Sequence, residues 1–108
     1  MARTPEGKVK DVIKKFLVAH QCGYYMPVSN GMGAPTLDFI CNWKFYLFFI
    51  EAKAPGKLPS PRQTTFIAAQ WSNHKVKCFV VDGEEALEPV KEHICRLMLI
   101  ESARSTSK

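Results

Sequence analysis

The residues best suited to chemistry in this chain are Asp38, Glu51 and Lys53. In the seventy residues from Val12 to Val81, Asp38 and Glu51 are the only acidic side chains. Both lie inside apolar stretches, where a carboxylate is costly to bury without a partner or a metal. Strand side chains alternate, so Glu51 and Lys53 share a face. A hairpin turning near Trp43 sets Asp38 beside Phe49 or Glu51, and either pairing puts both carboxylates on one face. A one-residue slip separates them. Two carboxylates held that close repel unless a cation stands between them, and hard oxygen ligands suit Mg²⁺ or Mn²⁺. Such an ion binds a phosphate oxygen, activates a water and stabilises the charge of an in-line displacement. Lys53 can orient the water or neutralise developing negative charge. The constellation points to phosphodiester cleavage. The alternative is a buried ion pair, Glu51 with Lys53 or with Arg62, that serves structure only.

These residues need elements to hold them. Thr4-Pro5-Glu6 opens a helix: Thr4 as N-cap, Pro5 at the first helical position, Glu6 at the positive end of the dipole. Val9, Val12, Ile13, Phe16 and Leu17 recur at helical spacing, with Lys8, Lys10, Lys14 and Lys15 on other faces. Gly23 is expected to end this helix. Tyr24–Val28 reads as a short strand and Ser29–Pro35 as a loop. Leu37–Cys41 reads as a strand, Asn42-Trp43-Lys44 as a turn, and Phe45–Ala52 as a second, almost wholly apolar strand, central and covered on both sides. Ala54–Ser60 is a loop by its prolines and glycine. Ser60-Pro61 caps a helix that carries Phe66, Ile67 and Trp71 and ends near Asn73. Val76–Val81 is another strand. A last helix runs from Glu84 to about Glu101, with Pro89 interrupting its first turns. The order α-β-β-β-α-β-α predicts an α/β fold with a mixed sheet. Residues 1–101 are expected to form one domain, and Ser102–Lys108 a flexible tail.

The chain has 108 residues, 46% hydrophobic and 23% charged, which suits one globular domain and excludes a disordered chain. Its longest apolar run, Phe45–Ile50, is far short of a membrane helix. The charged N-terminal stretch lacks the apolar core of a signal peptide, which predicts an intracellular, cytoplasmic protein. Residues 1–81 carry eleven basic and four acidic side chains, and residues 82–108 carry four basic and six acidic. A cationic body suits a polyanion such as nucleic acid, although plain solubility accounts for it as well. The four cysteines at 22, 41, 78 and 95 have neither C-x-x-C nor zinc-finger spacing and read as small core hydrophobes in a reducing compartment.

One stretch of motifs carries a resemblance. Gly33-Ala34-Pro35-Thr36-Leu37-Asp38-Phe39-Ile40, then Ile50-Glu51-Ala52-Lys53-Ala54-Pro55-Gly56-Lys57, then Ser60-Pro61-Arg62-Gln63 resembles the VRR-NUC branch of the PD-(D/E)xK nucleases, over roughly residues 6–83. A bare D…ExK is unspecific, but E-A-K-A-P-G-K followed by S-P-x-Q in a strand–loop–helix context is much less so. The resemblance implies a restriction-endonuclease-like core with an extra C-terminal helix. It implies that Asp38 and Glu51 bind the metal, with the Ala52 carbonyl as a further ligand. It implies that Lys53 is the catalytic lysine and that Gln63 stands near the active centre. Glu6 matches the acidic residue of the first helix and joins the metal ligands. Its spacing to Val9 and Ile13 also turns it inward, and the alternative is a surface Glu placed for the dipole. The chain departs from the family pattern where Thr36 and Leu37 separate Pro35 from Asp38.

Around this site, Lys14, Lys15, Lys57 and Arg62 are candidate phosphate contacts. Tyr24, Tyr25 and Trp43 are candidates for stacking on bases, and the alternative is core packing. Ser29, Asn30, Gly31 and Gly33 form a loop beside Asp38 suited to approaching a nucleic-acid backbone. His20, His74 and His93 receive no catalytic role. The apolar last helix either covers the sheet or forms a two-fold interface. Small stand-alone members of the family are similar to phage junction-processing enzymes. The resemblance therefore implies a metal-dependent endonuclease, a homodimer acting on branched or four-way junction DNA, encoded by a phage in a bacterial host. Two other readings stand beside it: a non-catalytic nucleic-acid-binding module on a nuclease fold, and an interaction protein that docks through its last helix.

Overall fold

A computed structural model of the chain describes residues 4–27 and 37–106. Helix α1, Pro5–Ala19, starts as its sequence dictates: the Thr4 hydroxyl accepts the Gly7 N–H at 3.0 Å, and Pro5 takes the first turn. Val9, Ile13 and Leu17, one turn apart, form its buried stripe. The helix ends earlier than Gly23. Gln21 N–H donates to Val18 O, Cys22 N–H donates to Leu17 O, and Gln21 adopts a left-handed φ of 59°. This is a Schellman motif, with buried Cys22 folded back over Leu17. Gly23 instead opens the first strand, because a Cβ there would meet Asn42 Oδ1 at 2.6 Å.

The sheet has four strands in the order β1 (Gly23–Tyr25), β2 (Phe39–Trp43), β3 (Tyr46–Ala52) and β4 (Lys77–Val81). The first three pair antiparallel, and β4 lies parallel to β3 after a helical crossover, so the sheet is mixed. The element order follows the expected sequence. The hairpin differs in its limits: β2 runs on through Trp43, and the turn shrinks to Lys44-Phe45, with Lys44 at φ 54°. The cause is Trp43 itself, which is 7% exposed and stacks on Tyr46.

Alternation along β3 assigns its two faces. Phe48 and Ile50 are fully buried with Phe39 and Cys41 of β2, Val81 of β4 and Ile13 and Leu17 of α1. Phe49 turns to the other face, where its ring lies 6.2 Å from that of Phe66. Phe66 belongs to α2, Pro61–Ala69, which continues as a π-helical segment, Gln70–His74. A 3₁₀ turn, Glu84–Leu87, leads into α3, Glu88–Thr106. Pro89 therefore sits in the first turn of α3, where its missing N–H costs nothing, and does not interrupt the helix. Val90, Ile94 and Leu97 bury the near side of α3, while Met98, Leu99 and Ile100 stay exposed.

Helix α3 also continues into the expected tail, through Thr106. The Tyr46 hydroxyl donates to Glu101 Oε2 at 3.0 Å, and Arg104 Nη1 donates to the same hydroxyl at 3.4 Å. All four cysteines are free thiols: Cys22 and Cys41 are buried and Cys78 half-buried, but Cys95 is exposed and not a core residue. Among the described residues no helix is long and apolar enough to cross a membrane.

Candidate functional site

The β2–β3 register pairs Phe39 with Ile50, so one step further Asp38 faces Glu51. Their side chains lock the strand ends together. Asp38 N–H donates to Glu51 Oε1 at 3.2 Å, and Ala52 N–H donates to Asp38 Oδ2 at 2.8 Å. Glu51 is 4% exposed, the one buried charged side chain among the described residues. Lys53 turns back to the same face, with Nζ 3.4 Å from Glu51 Oε2. Its backbone N–H donates to Val81 O at 2.9 Å, which ties the lysine to β4. The expected alternative partner of Glu51, Arg62, is exposed and lines a hollow with Thr65, Phe66 and Ala69 of α2.

Gln63 reaches Glu51 from α2. Its Oε1 accepts the Ser60 N–H at 2.9 Å while its backbone N–H donates to the Ser60 hydroxyl, a complete capping box. With Oε1 committed to the cap, Nε2 is free to donate to Glu51 Oε2. The helix start and the site thus share one amide.

A sixth residue enters that sequence reasoning placed on other faces of the helix. Lys10 Nζ lies 3.6 Å from Asp38 Oδ1 and 3.5 Å from Glu6 Oε2. Glu6 does not join the carboxylate pair directly and meets it only through Lys10. Lys10 stands four residues after Glu6 on the same helical face, but with four lysines on the helix that spacing alone does not single it out.

Burial pushes the Glu51 carboxyl up to about 7, the Asp38 charge adds to the rise, and Lys53 opposes it. Burial away from water, more than the neighbouring carboxylate, thus disfavours the charged form of Glu51. Among the described residues, no three His, Cys, Asp or Glu side chains gather, so Asp38 and Glu51 stand together as a pair of carboxylates.

The remaining candidates lie around this centre. Lys14 is half-buried on α1, one turn beyond Lys10. Lys15 lines a separate groove between α1 and the start of α3. Lys57 is exposed in the loop after β3, and Arg62 is exposed beside Gln63. Tyr25 is exposed on the edge strand, whereas Tyr24 sets its ring edge-on to Phe39 at 5.8 Å. Trp43 belongs to the core, which removes it as a stacking candidate. Asn30, with Ser29, Gly31 and Gly33, falls outside the described residues. Comparison with protein-family models, curated proteins and solved structures finds no match to this chain.

Proposed function

We propose that the protein is a divalent-metal-dependent endonuclease that hydrolyses DNA phosphodiester bonds on a restriction-endonuclease-like core. The observation that carries this reading is the buried Glu51, facing Asp38 and held by Lys53 and Gln63. A structural ion pair would need Lys53 alone. It gives no reason for a second carboxylate against Glu51, or for an amide from another helix.

The donor set fits Mg²⁺ or Mn²⁺. Asp38 and Glu51 are hard oxygen donors in contact, and the Glu51 charge, disfavoured by burial, is one that a cation would stabilise. These two would hold the ion, with the Ala52 carbonyl as the further ligand that the motif implies. A bound divalent ion supplies Lewis acidity toward a phosphate oxygen and a more acidic water. The protein's own residues supply the rest. Gln63 holds Glu51 Oε2 in one orientation, Ala52 N–H fixes Asp38, and Lys53 holds an ammonium where negative charge develops on a phosphate. Lys14, Lys57 and Arg62 extend positive charge outward from the centre for the DNA backbone.

Branched or four-way DNA is the substrate class this reading favours, with a second copy of the chain as partner. The exposed Met98, Leu99 and Ile100 on α3 support that partner. The test uses labelled duplex, single-stranded, flap and four-way DNA with Mg²⁺, Mn²⁺ or chelator. Cleavage is expected only with metal, and Glu51→Gln and Lys53→Ala are each expected to lower it at least a hundredfold with the fold intact. Wild-type cleavage by either variant overturns the assignment.

A further inference from the structure

Beyond the far end of α2 the chain builds a second feature. Trp71 lies in the π-helical segment and is 47% exposed, while the chain's other tryptophan, Trp43, is buried. Two ammonium groups flank its ring: Lys77 Nζ at 4.5 Å from the centroid and Lys75 Nζ at 5.3 Å. The backbone is arranged to place them there. Lys75 N–H donates to Trp71 O and Val76 N–H to Gln70 O, and Lys75 takes a left-handed φ of 57°. Lys75 is the C-cap of the segment, so its left-handed backbone ends the helix and turns the chain towards β4. π-Helical turns concentrate at functional positions.

The same two lysines, with His74 and His93, also line a hollow of about 280 Å³ between the β2–β3 turn and α3, which the indole does not enter. His93 Nδ1 is buried and has no hydrogen-bond partner, and the ring's pKa is lowered by burial and by Lys77 and Arg96. Along the chain, the segment that carries the indole is cationic. Residues 52–81 carry Lys53, Lys57, Arg62, Lys75 and Lys77 and no acidic side chain.

We propose that Trp71, with Lys75 and Lys77, is a stacking platform for an unpaired base of DNA. The indole takes the base on its face, and the lysines turn from the ring to the flanking phosphates. Surface cation–π contacts are weak enough for this exchange. Stacking on an exposed aromatic, combined with cations along the backbone, is how single strands are bound without sequence preference. Eight residues of helix separate Trp71 from Gln63, about 12 Å of axial rise, which equals three to four nucleotides along one strand of a duplex. The platform thus deepens the nuclease reading, on which only its link to the cut site rests: DNA with an unpaired segment a few nucleotides from the scissile bond is the substrate class.

The test keeps binding apart from cleavage. With chelator present, the full chain is titrated with oligothymidylate, with blunt duplex and with inorganic polyphosphate, following tryptophan emission and the anisotropy of labelled DNA. Oligothymidylate is expected to quench the emission, and polyphosphate is not. Trp71→Ala should weaken binding of oligothymidylate about tenfold and leave the blunt duplex within twofold, while Trp71→Phe should restore the affinity. Lys75→Gln with Lys77→Gln should lower the salt dependence by about 0.7 per lysine. Unchanged affinity in Trp71→Ala, or equal quenching by polyphosphate, overturns the platform. Cleavage is read separately with Mg²⁺. A chain that quenches on oligothymidylate but cuts no DNA keeps the platform and loses the nuclease reading. A chain that cuts DNA while Trp71→Ala binds normally keeps the nuclease and loses the platform.

Discussion

Gln63 couples two functions through one amide, and substitutions can separate them. Gln63→Ala keeps the backbone bond to the Ser60 hydroxyl but loses the side-chain half of the capping box and the bond to Glu51, so a loss of about 1 kcal/mol in stability should accompany loss of cleavage. Gln63→Glu keeps an acceptor for the Ser60 N–H but puts a second carboxylate against Glu51. It should retain helix content by circular dichroism and still lose activity. Glu51 gives a pH signature. Its carboxyl rises from 4.5 to about 7 on folding, so the folded chain holds that proton more tightly than the unfolded one. That contribution is fully present below pH 4.5 and is lost as pH rises through about 7. Metal-free protein should therefore lose on the order of 1–3 kcal/mol across that window in chemical denaturation, and Glu51→Gln should flatten the profile. The pair of acids and the lysine were legible in the sequence because isolated charges in apolar strands need an explanation, whereas Gln63 was expected only through the resemblance of its motif. Lys10 was not, because four lysines share its helix and only packing shows which one turns inward.

At the scale of elements, caps and alternation carried most of the information. Thr4-Pro5 and Ser60-Pro61-x-Gln63 mark helix starts through hydrogen bonds that form within three residues, so local sequence suffices. Element ends were less legible. The end of α1 is set by a Schellman motif around Gln21, a residue with no preference for left-handed backbone. Gln21→Gly should therefore raise stability by about 1 kcal/mol, visible as a higher Tm. The end of α3 depends on Tyr46, more than fifty residues away, and no local pattern reveals it. The same holds for Trp43, whose burial against Tyr46 extends β2 past the expected turn.

The molecule as a whole separates its charge. The five cations and no acids of residues 52–81 surround the end of the sheet and the crossover, while the acidic side chains of residues 82–108 gather in the C-terminal segment. DNA binding should weaken steeply with added salt, with a slope that Lys57→Gln and Arg62→Gln each reduce by about 0.9 on duplex. Mg²⁺ should raise the Tm of the wild type and leave that of Glu51→Gln unchanged, since a ligand stabilises only the state that binds it. The α/β class, the order of elements along the chain and the mixed sheet followed from the alternation of helical and strand periods, while the order of strands in the sheet did not. The exposed apolar end of α3 followed from composition only as an excess, since its inner and outer sides are separated by packing against the sheet.

Lys10 stands between the carboxylates of Glu6 and Asp38, an ammonium tethered at the mouth of the centre. If the centre takes the proposed divalent ion, that ion must compete with this ammonium for Asp38. Removing that rival, as in Lys10→Met, should let the centre saturate at lower magnesium concentration in calorimetry. On the proposed reading, the first helix would then set how much free metal must be present before the centre fills.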